Sequence, residues 1–173
     1  MRLASRSHLA LTALLMSLVV ALTGVGTLAT PEASQARQRA AGSGYRFTHA
    51  ERCLMSKLNR RRANRGLRRL ESDKQLGYVG RRHARNMAGA GTTWHLGNLA
   101  NVVTRWRRLG QTVGRAPRCR AMFRMFWRSS VHRTIMMGRW RFVGVGVERR
   151  RGRIYVLQIF ESRRNPGNTF SYP

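Results

Sequence analysis

Apolar residues recur at helical spacing near the start of the chain's central region. Ala50, Leu54 and Leu58 lie four residues apart and would form one apolar stripe on a helix. Thr48 and Glu51 precede this stripe at the spacing of a capping box, in which the hydroxyl and the carboxylate each bind a backbone amide. We therefore predict a first helix that begins after Thr48 and ends near Gly66, because glycine tolerates the left-handed conformation of a helix end.

Two further helices follow from the same kind of pattern. Ser72 and Gln75 have the spacing of a second capping box, and the apolar face after them ends at Gly89 and Gly91. That face contains Leu76, Val79, His83 and Met87. A third helix should follow Pro117, a residue favoured at helix starts, with a short helical turn over 129–137. Its core-facing side would contain Cys119, Met122, Phe123, Phe126 and Trp127.

The stretch between the second and third helices has a weaker pattern. A short amphipathic helix there would use Leu99, Val102, Val103 and Trp106. Near the end of the chain the period changes from helical to alternating. Valine and glycine alternate over residues 143–147, and a β-rich run occupies 154–160. With a turn within 149–152, these runs predict a hairpin, and helices followed by a hairpin predict an α+β fold.

The N-terminal residues have the pattern of a secretory signal peptide. Arg2 and Arg6 precede an apolar run over 9–22, which is too short to span a membrane comfortably, and small residues surround Ala36. We predict a signal peptide over 1–36, a flexible basic linker over 37–47, a domain over 48–162 and a tail over 163–173. The protein is then secreted and extracellular, with retention at the cell wall or an uncleaved N-terminal anchor as alternatives.

The charge of the chain narrows the choice of partners. The formal net charge is +28, and arginine supplies nearly all of it. Such a charge attracts anionic polymers and membrane surfaces, which for an exported protein are wall polymer, acidic lipid or extracellular nucleic acid. Export excludes a nuclear or ribosomal role. The alternative is a solvated arginine surface that has no binding role.

The chain contains two cysteines, Cys53 and Cys119. In an oxidising compartment a single disulfide between them is the default expectation, with two buried free thiols as the alternative. Two cysteines alone are too few for a structural zinc site, which takes four ligands.

Six segments in order resemble the bacterial branch of the CAP superfamily, also called the SCP-like extracellular domain. They are LNRRRA with GLRRL (58–63 and 66–70), HARNMA (83–88), WHLGNL (94–99), GQTVG (110–114), SSVHR (129–133) and VGVGV (143–147). The resemblance covers about residues 48–162. It implies a three-layer α-β-α sandwich with a C-terminal hairpin. It also implies an open cleft, lined in the family by two histidines and two acids, that can hold a divalent metal.

The family's cleft residues carry over only in part. The histidines correspond to His95 and His132, but Gln111 stands in place of the acid of the family's GENVG motif. No acidic residue occurs between Asp73 and Glu148, so we expect that catalysis by the family's acids is lost. Two imidazoles are one or two ligands short of a secure metal site. We therefore expect no cofactor, with a divalent metal at the two histidines as the weaker alternative.

Three classes of function follow from these observations. The first is a monomeric, non-catalytic binding module for anionic cell-envelope or extracellular ligands, either wall polymer or acidic lipid. The second is a degenerate CAP-type hydrolase or peptidase that uses His95 and His132. Ser129 would be its nucleophile, although no third residue is present to orient a triad. The third is a basic protein that binds extracellular nucleic acid or acts as an antimicrobial.

Overall fold

A four-stranded sheet between two layers of helices forms the computed structural model, which describes residues 45–103 and 106–162. The predicted signal peptide, most of the predicted linker and the predicted tail lie outside the described residues. The strands are β1 (Glu71–Ser72), β2 (Leu109–Ala116), β3 (Phe142–Arg150) and β4 (Arg153–Glu161). The helices are α1 (His49–Ala63), α2 (Lys74–Ala90), α3 (Leu99–Val102), α4 (Cys119–Arg128) and α5 (Ser130–Met136).

The sheet has the strand order β1-β3-β4-β2. Strands β3 and β4 form the predicted hairpin, which turns at Arg151 and Gly152, both at positive φ. Strand β1 pairs with β3 in parallel, and β2 pairs with β4 antiparallel over its whole length. The sequence did not predict β2, because its glycines and polar residues give no clear alternation. Its conformation comes from pairing with β4, which is distant in sequence.

Alternate residues of β4 point into two separate cores. Ile154, Val156 and Phe160 pack with α1 and α4, whereas Leu157 and Ile159 pack with α2. This arrangement confirms the predicted three-layer α-β-α sandwich. Since side chains on a strand alternate between its faces, a strand buried on both sides is apolar along most of its length, as β4 is over residues 154–157 and 159–160.

The alternating valines and glycines of β3 serve the two faces differently. The valines lie in the core under α1 and α4. The glycines face α2, where a Cβ atom at Gly146 would lie 1.8 Å from the backbone nitrogen of Arg81. At Gly144 it would lie 2.2 Å from the backbone nitrogen of Gly77. Glycine is therefore required for the close approach of α2 to the sheet.

The helix starts confirm one predicted cap and correct the other. At α1, the Thr48 hydroxyl accepts from the Glu51 amide at 3.4 Å, and the Glu51 carboxylate accepts from the Thr48 amide at 2.7 Å. The capping box predicted at Ser72 is wrong: Asp73 caps α2 and accepts from the Leu76 amide at 2.8 Å. Ser72 is held in β1 by pairing with β3, so the helix starts one residue later.

The remaining elements agree with the prediction except at their ends. The short helix α3 is a single turn over Leu99–Val102, and Trp106 lies outside it. At the start of the described residues, Tyr45 is buried and donates to the Glu51 carboxylate at 2.8 Å. The last residues of the predicted flexible linker thus pack on the domain. Within the described ranges, the helices are too short or too polar for a membrane span.

The predicted disulfide joins the two helices of one layer. Cys53 on α1 and Cys119 at the start of α4 are bonded at an S–S distance of 2.05 Å. The bond closes a loop with a sequence separation of 66 residues. It therefore constrains the spacing of α1 and α4 at one end of their contact.

Candidate functional site

The four predicted cleft residues lie on three neighbouring segments around the edge strand β2. His95 is exposed on the loop after α2, Gln111 is half-buried on β2, and Ser129 and His132 lie at the start of α5. The Gln111 side chain accepts from the Leu96 amide at 2.9 Å and donates to the Leu96 carbonyl at 3.1 Å. Gln111 therefore fixes the loop that carries His95.

His132 and His95 are close enough to influence each other electrostatically. Burial lowers the pKa of His132, and the charge of His95 lowers it further. The His132 ring packs against Phe126 with 4.9 Å between centroids. Its Nδ1 atom is buried and has no hydrogen-bond partner among the described residues. Burial therefore favours the neutral imidazole, and no described carboxylate orients it.

Ser129 serves as the N-cap of α5. Its hydroxyl accepts from the backbone amide of His132 at 3.4 Å, and this bond satisfies one of the free amides of the helix start. No hydrogen bond joins the Ser129 hydroxyl to the His132 ring in the described part of the chain. The pair lacks the serine-to-imidazole contact on which nucleophile activation depends.

Four of the five carboxylates of the described residues form ion pairs or cap a helix. Glu51 is buried and binds Arg81 with an Nε–Oε1 distance of 2.8 Å, and Glu71 and Glu148 pair with surface arginines. Glu161 is fully buried on β4, where burial and the charge of Asp73 raise its pKa to about 8. Both carboxylate oxygens of Glu161 are buried without a hydrogen-bond partner among the described residues.

The donor atoms around His95 do not fit a divalent metal. The described residues contain no group of three or more histidine, cysteine, aspartate or glutamate side chains placed to hold one. His83 on α2 lines the same cavity as His95, but it is buried and its Nε2 atom is hydrogen-bonded to the Trp94 carbonyl at 2.8 Å. This agrees with a packed role for His83. Two imidazoles without a carboxylate leave the coordination shell incomplete.

A cleft of about 390 Å³ lies beside His95, between α2 and the loop that follows it. Three of the α2 residues that line it, Tyr78, Arg82 and Asn86, were not predicted as site residues, although their spacing of four places them on one helix face. Trp94 stands at its rim with 40 % of its surface exposed. The cleft therefore offers an aromatic ring, a guanidinium group and an amide, and its lining contains no acid among the described residues.

Comparison with known proteins places the fold in one family. Residues 55–160 match the sequence model of the CAP family, which is described as the cysteine-rich secretory protein family. Two solved structures superimpose with TM-scores of 0.60: an extracellular protein containing an SCP domain from Bacillus anthracis (19% identity) and an outer surface protein from Borrelia burgdorferi (15%). The alignments cover 69% and 65% of this chain and 45% and 92% of those chains, respectively.

A third structure, a cysteine-rich secretory protein from Staphylococcus aureus, has 16% identity and a TM-score of 0.54, with 69% of this chain and 42% of that chain covered. This chain thus spans less than half of the Bacillus and Staphylococcus chains. At such identities the likeness concerns the fold. The search of curated proteins found no match.

Proposed function

Because the chain belongs to the CAP family, we propose that it is exported and acts outside the cell as a monomeric, non-catalytic binding domain for anionic polymers or acidic lipid surfaces. The Bacillus, Borrelia and Staphylococcus proteins are described as extracellular, outer-surface and secretory proteins, and this supports a location outside the cell. The signal-peptide pattern of residues 1–36 supports export by the secretory route.

The distribution of charge carries the proposal. Of the carboxylates in the described residues, Glu51 is buried against Arg81, Glu71 and Glu148 bind arginines at the surface, and Asp73 and Glu161 are buried. The raised pKa of Glu161 favours its neutral form at physiological pH, which removes one further negative charge. The formal net charge of +28, or +27 without residues 1–36, already deducts every carboxylate, so a large excess of arginine remains to attract anionic ligands.

The contacts of the four predicted cleft residues, of which His95 alone lines the cleft beside α2, support a non-catalytic role. Gln111, which the family resemblance matches to an acid, uses both polar atoms of its amide on Leu96. The Ser129 hydroxyl caps α5, and the His132 imidazole, whose pKa burial lowers, has no acid among the described residues to orient it. Hydrolysis needs a positioned base and a second group that orients it or binds a metal, and these contacts are missing among the described residues.

Co-sedimentation of the purified protein tests the proposal. The ligands are anionic vesicles, zwitterionic vesicles and isolated cell wall, each at about 50 and about 200 mM salt. We expect retention on the anionic vesicles and the wall, little on the zwitterionic vesicles, and weaker retention at the higher salt. Equal retention on both kinds of vesicle, or no retention on any ligand, would refute the proposed function. Retention on one anionic ligand that survives high salt would indicate recognition beyond net charge.

A further inference from the structure

A second cavity, of about 440 Å³, lies between α1 and α4 on the helical layer opposite α2. Its walls are mostly cationic, and its apolar floor is the buried ring of Phe123. We call it the α1–α4 groove, and it is lined by Lys57, Arg60, Arg61, Asn64, Arg120, Phe123 and Arg124. None of these lining residues carries a carboxylate.

The groove follows from the spacing of residues on the two helices. On α1 the lining residues stand at positions 57, 60, 61 and 64, and on α4 at 120, 123 and 124. Residues three and four apart share one face of a helix, so each helix presents one basic stripe to the other. The Cys53–Cys119 disulfide joins the two helices at one end of these stripes and holds them side by side.

The cations of the groove are not neutralised within the described part of the chain. The ion pairs of the described residues use other arginines, none of which lines the groove: Arg68, Arg81, Arg85 and Arg141. Arg60, Arg120 and Arg124 are exposed. Facing rows of like charge repel each other, and the disulfide and the core beneath the helices hold them together against this repulsion. An anion bound between the rows would remove the repulsion and gain contacts with both walls.

We propose that the α1–α4 groove binds a linear chain of phosphate groups, recognised through its phosphates and without bases. This inference rests on the proposed function and assigns it a site away from the His95 cleft. Guanidinium groups bind phosphate oxygens with two parallel hydrogen bonds. A linear chain can enter the concave groove and contact both walls, whereas a flat bilayer would reach only the rim.

The aromatic residue beside the groove argues against recognition of bases. Two guanidinium groups lie over the Trp127 ring, those of Arg61 at 5.0 Å and Arg65 at 4.6 Å from its centroid. Phe123 stacks on the same ring at 6.1 Å. Nucleic-acid sites that bind single strands instead offer open aromatic faces to the bases. Trp127 is already stacked, so phosphates are the part of a chain that this surface can hold.

The test compares two charge-matched triple variants. The groove variant carries Arg60→Gln, Arg120→Gln and Arg124→Gln. The control carries Arg149→Gln, Arg150→Gln and Arg153→Gln on the β3–β4 hairpin, at exposed positions that do not line the groove. Binding is measured by titration with short-chain inorganic polyphosphate between about 50 and 200 mM salt, with single-stranded DNA and anionic vesicles as parallel arms. Thermal unfolding of each unliganded variant checks that it is folded.

We expect the groove variant to lose polyphosphate affinity on the order of 100-fold at about 50 mM salt, because three phosphate contacts are removed. The slope of log affinity against log salt should fall by about 2. The control should change both quantities far less. Polyphosphate should also raise the melting temperature of the wild-type protein more than that of the groove variant.

Three results would overturn the inference while leaving the proposed function standing. Equal losses in the two variants would show that net charge acts without a defined site. Tighter, groove-dependent binding of single-stranded DNA would assign the groove to nucleic acid. Tighter, groove-dependent binding of anionic vesicles would assign it to a membrane surface. If the wild-type protein binds none of these anions and no cell wall, both the inference and the proposed function fail.

Discussion

The close approach of α2 to the sheet gives a sharp prediction for Gly146→Ala. The added methyl group would lie 1.8 Å from the Arg81 nitrogen and 1.9 Å from the Gly80 carbonyl carbon. Both atoms belong to the backbone of α2, so no side chain can rotate away to make room. Helix and sheet must therefore separate.

The size of the separation sets the cost. Ordinary contact at a Cβ begins near 3.4 Å, so α2 would have to move by about 1.6 Å from the Arg81 nitrogen. A radial gap of only about 0.5–1 Å already loses a quarter to a half of the dispersion energy of a contact. Overpacking alone costs about 1–3 kcal/mol. With the lost contacts of Leu76, Val79 and Met87 added, we expect Gly146→Ala to destabilise the fold by at least about 3 kcal/mol.

Urea unfolding followed by circular dichroism measures this loss, with Gly89→Ala as the matched control. Gly89 lies inside α2, is exposed, and a Cβ there meets no atom within 4 Å. Alanine at this position should stabilise the protein by about 0.5–1 kcal/mol, since it is the better helix former. A loss below about 0.5 kcal/mol in Gly146→Ala would refute the claim that this packing requires glycine, because typical surface substitutions change stability by that much.

Three further predictions concern single groups in the structure. The pKa of Glu161 is raised from 4.5 to about 8, so the folded chain keeps a proton that the unfolded chain releases, and stability should fall as pH rises across this window. In urea unfolding, the free energy of unfolding of Glu161→Gln should therefore increase relative to that of the wild type as pH rises from 5 to 9. A difference that stays constant over this range would contradict the raised pKa of Glu161. Gln111→Ala removes two hydrogen bonds to Leu96 and should cost about 1–3 kcal/mol. In this variant the rate of hydrogen exchange at the Leu96 amide should rise, and an unchanged rate would contradict the hydrogen bond to Gln111. Joint replacement of Cys53 and Cys119 by alanine should cost roughly 4 kcal/mol in urea unfolding for a loop of 66 residues, and an unchanged midpoint would show that the disulfide contributes nothing.

The sequence by itself determined the elements whose signals are local. The capping box of Thr48 and Glu51, the apolar faces of α1, α2 and α4, and the hairpin of β3 and β4 depend on residues within a few positions of one another. Hydrogen bonds and side-chain periodicity at that range act before any tertiary contact forms. The six family-like segments also identified the CAP fold, and the acid-free stretch between Asp73 and Glu148 indicated a cleft without its acids.

Only the tertiary structure decided the features that depend on distant partners. Strand β2 exists because β4 pairs with it, and Ser72 loses its predicted capping role because β1 pairs with β3. The amide of Gln111 finds its partner in Leu96 across a loop. The α1–α4 groove arises because the fold and a disulfide bring together two helices whose basic stripes lie far apart in sequence. Such pairings depend on where the chain returns in space, and no local pattern of residues encodes that position.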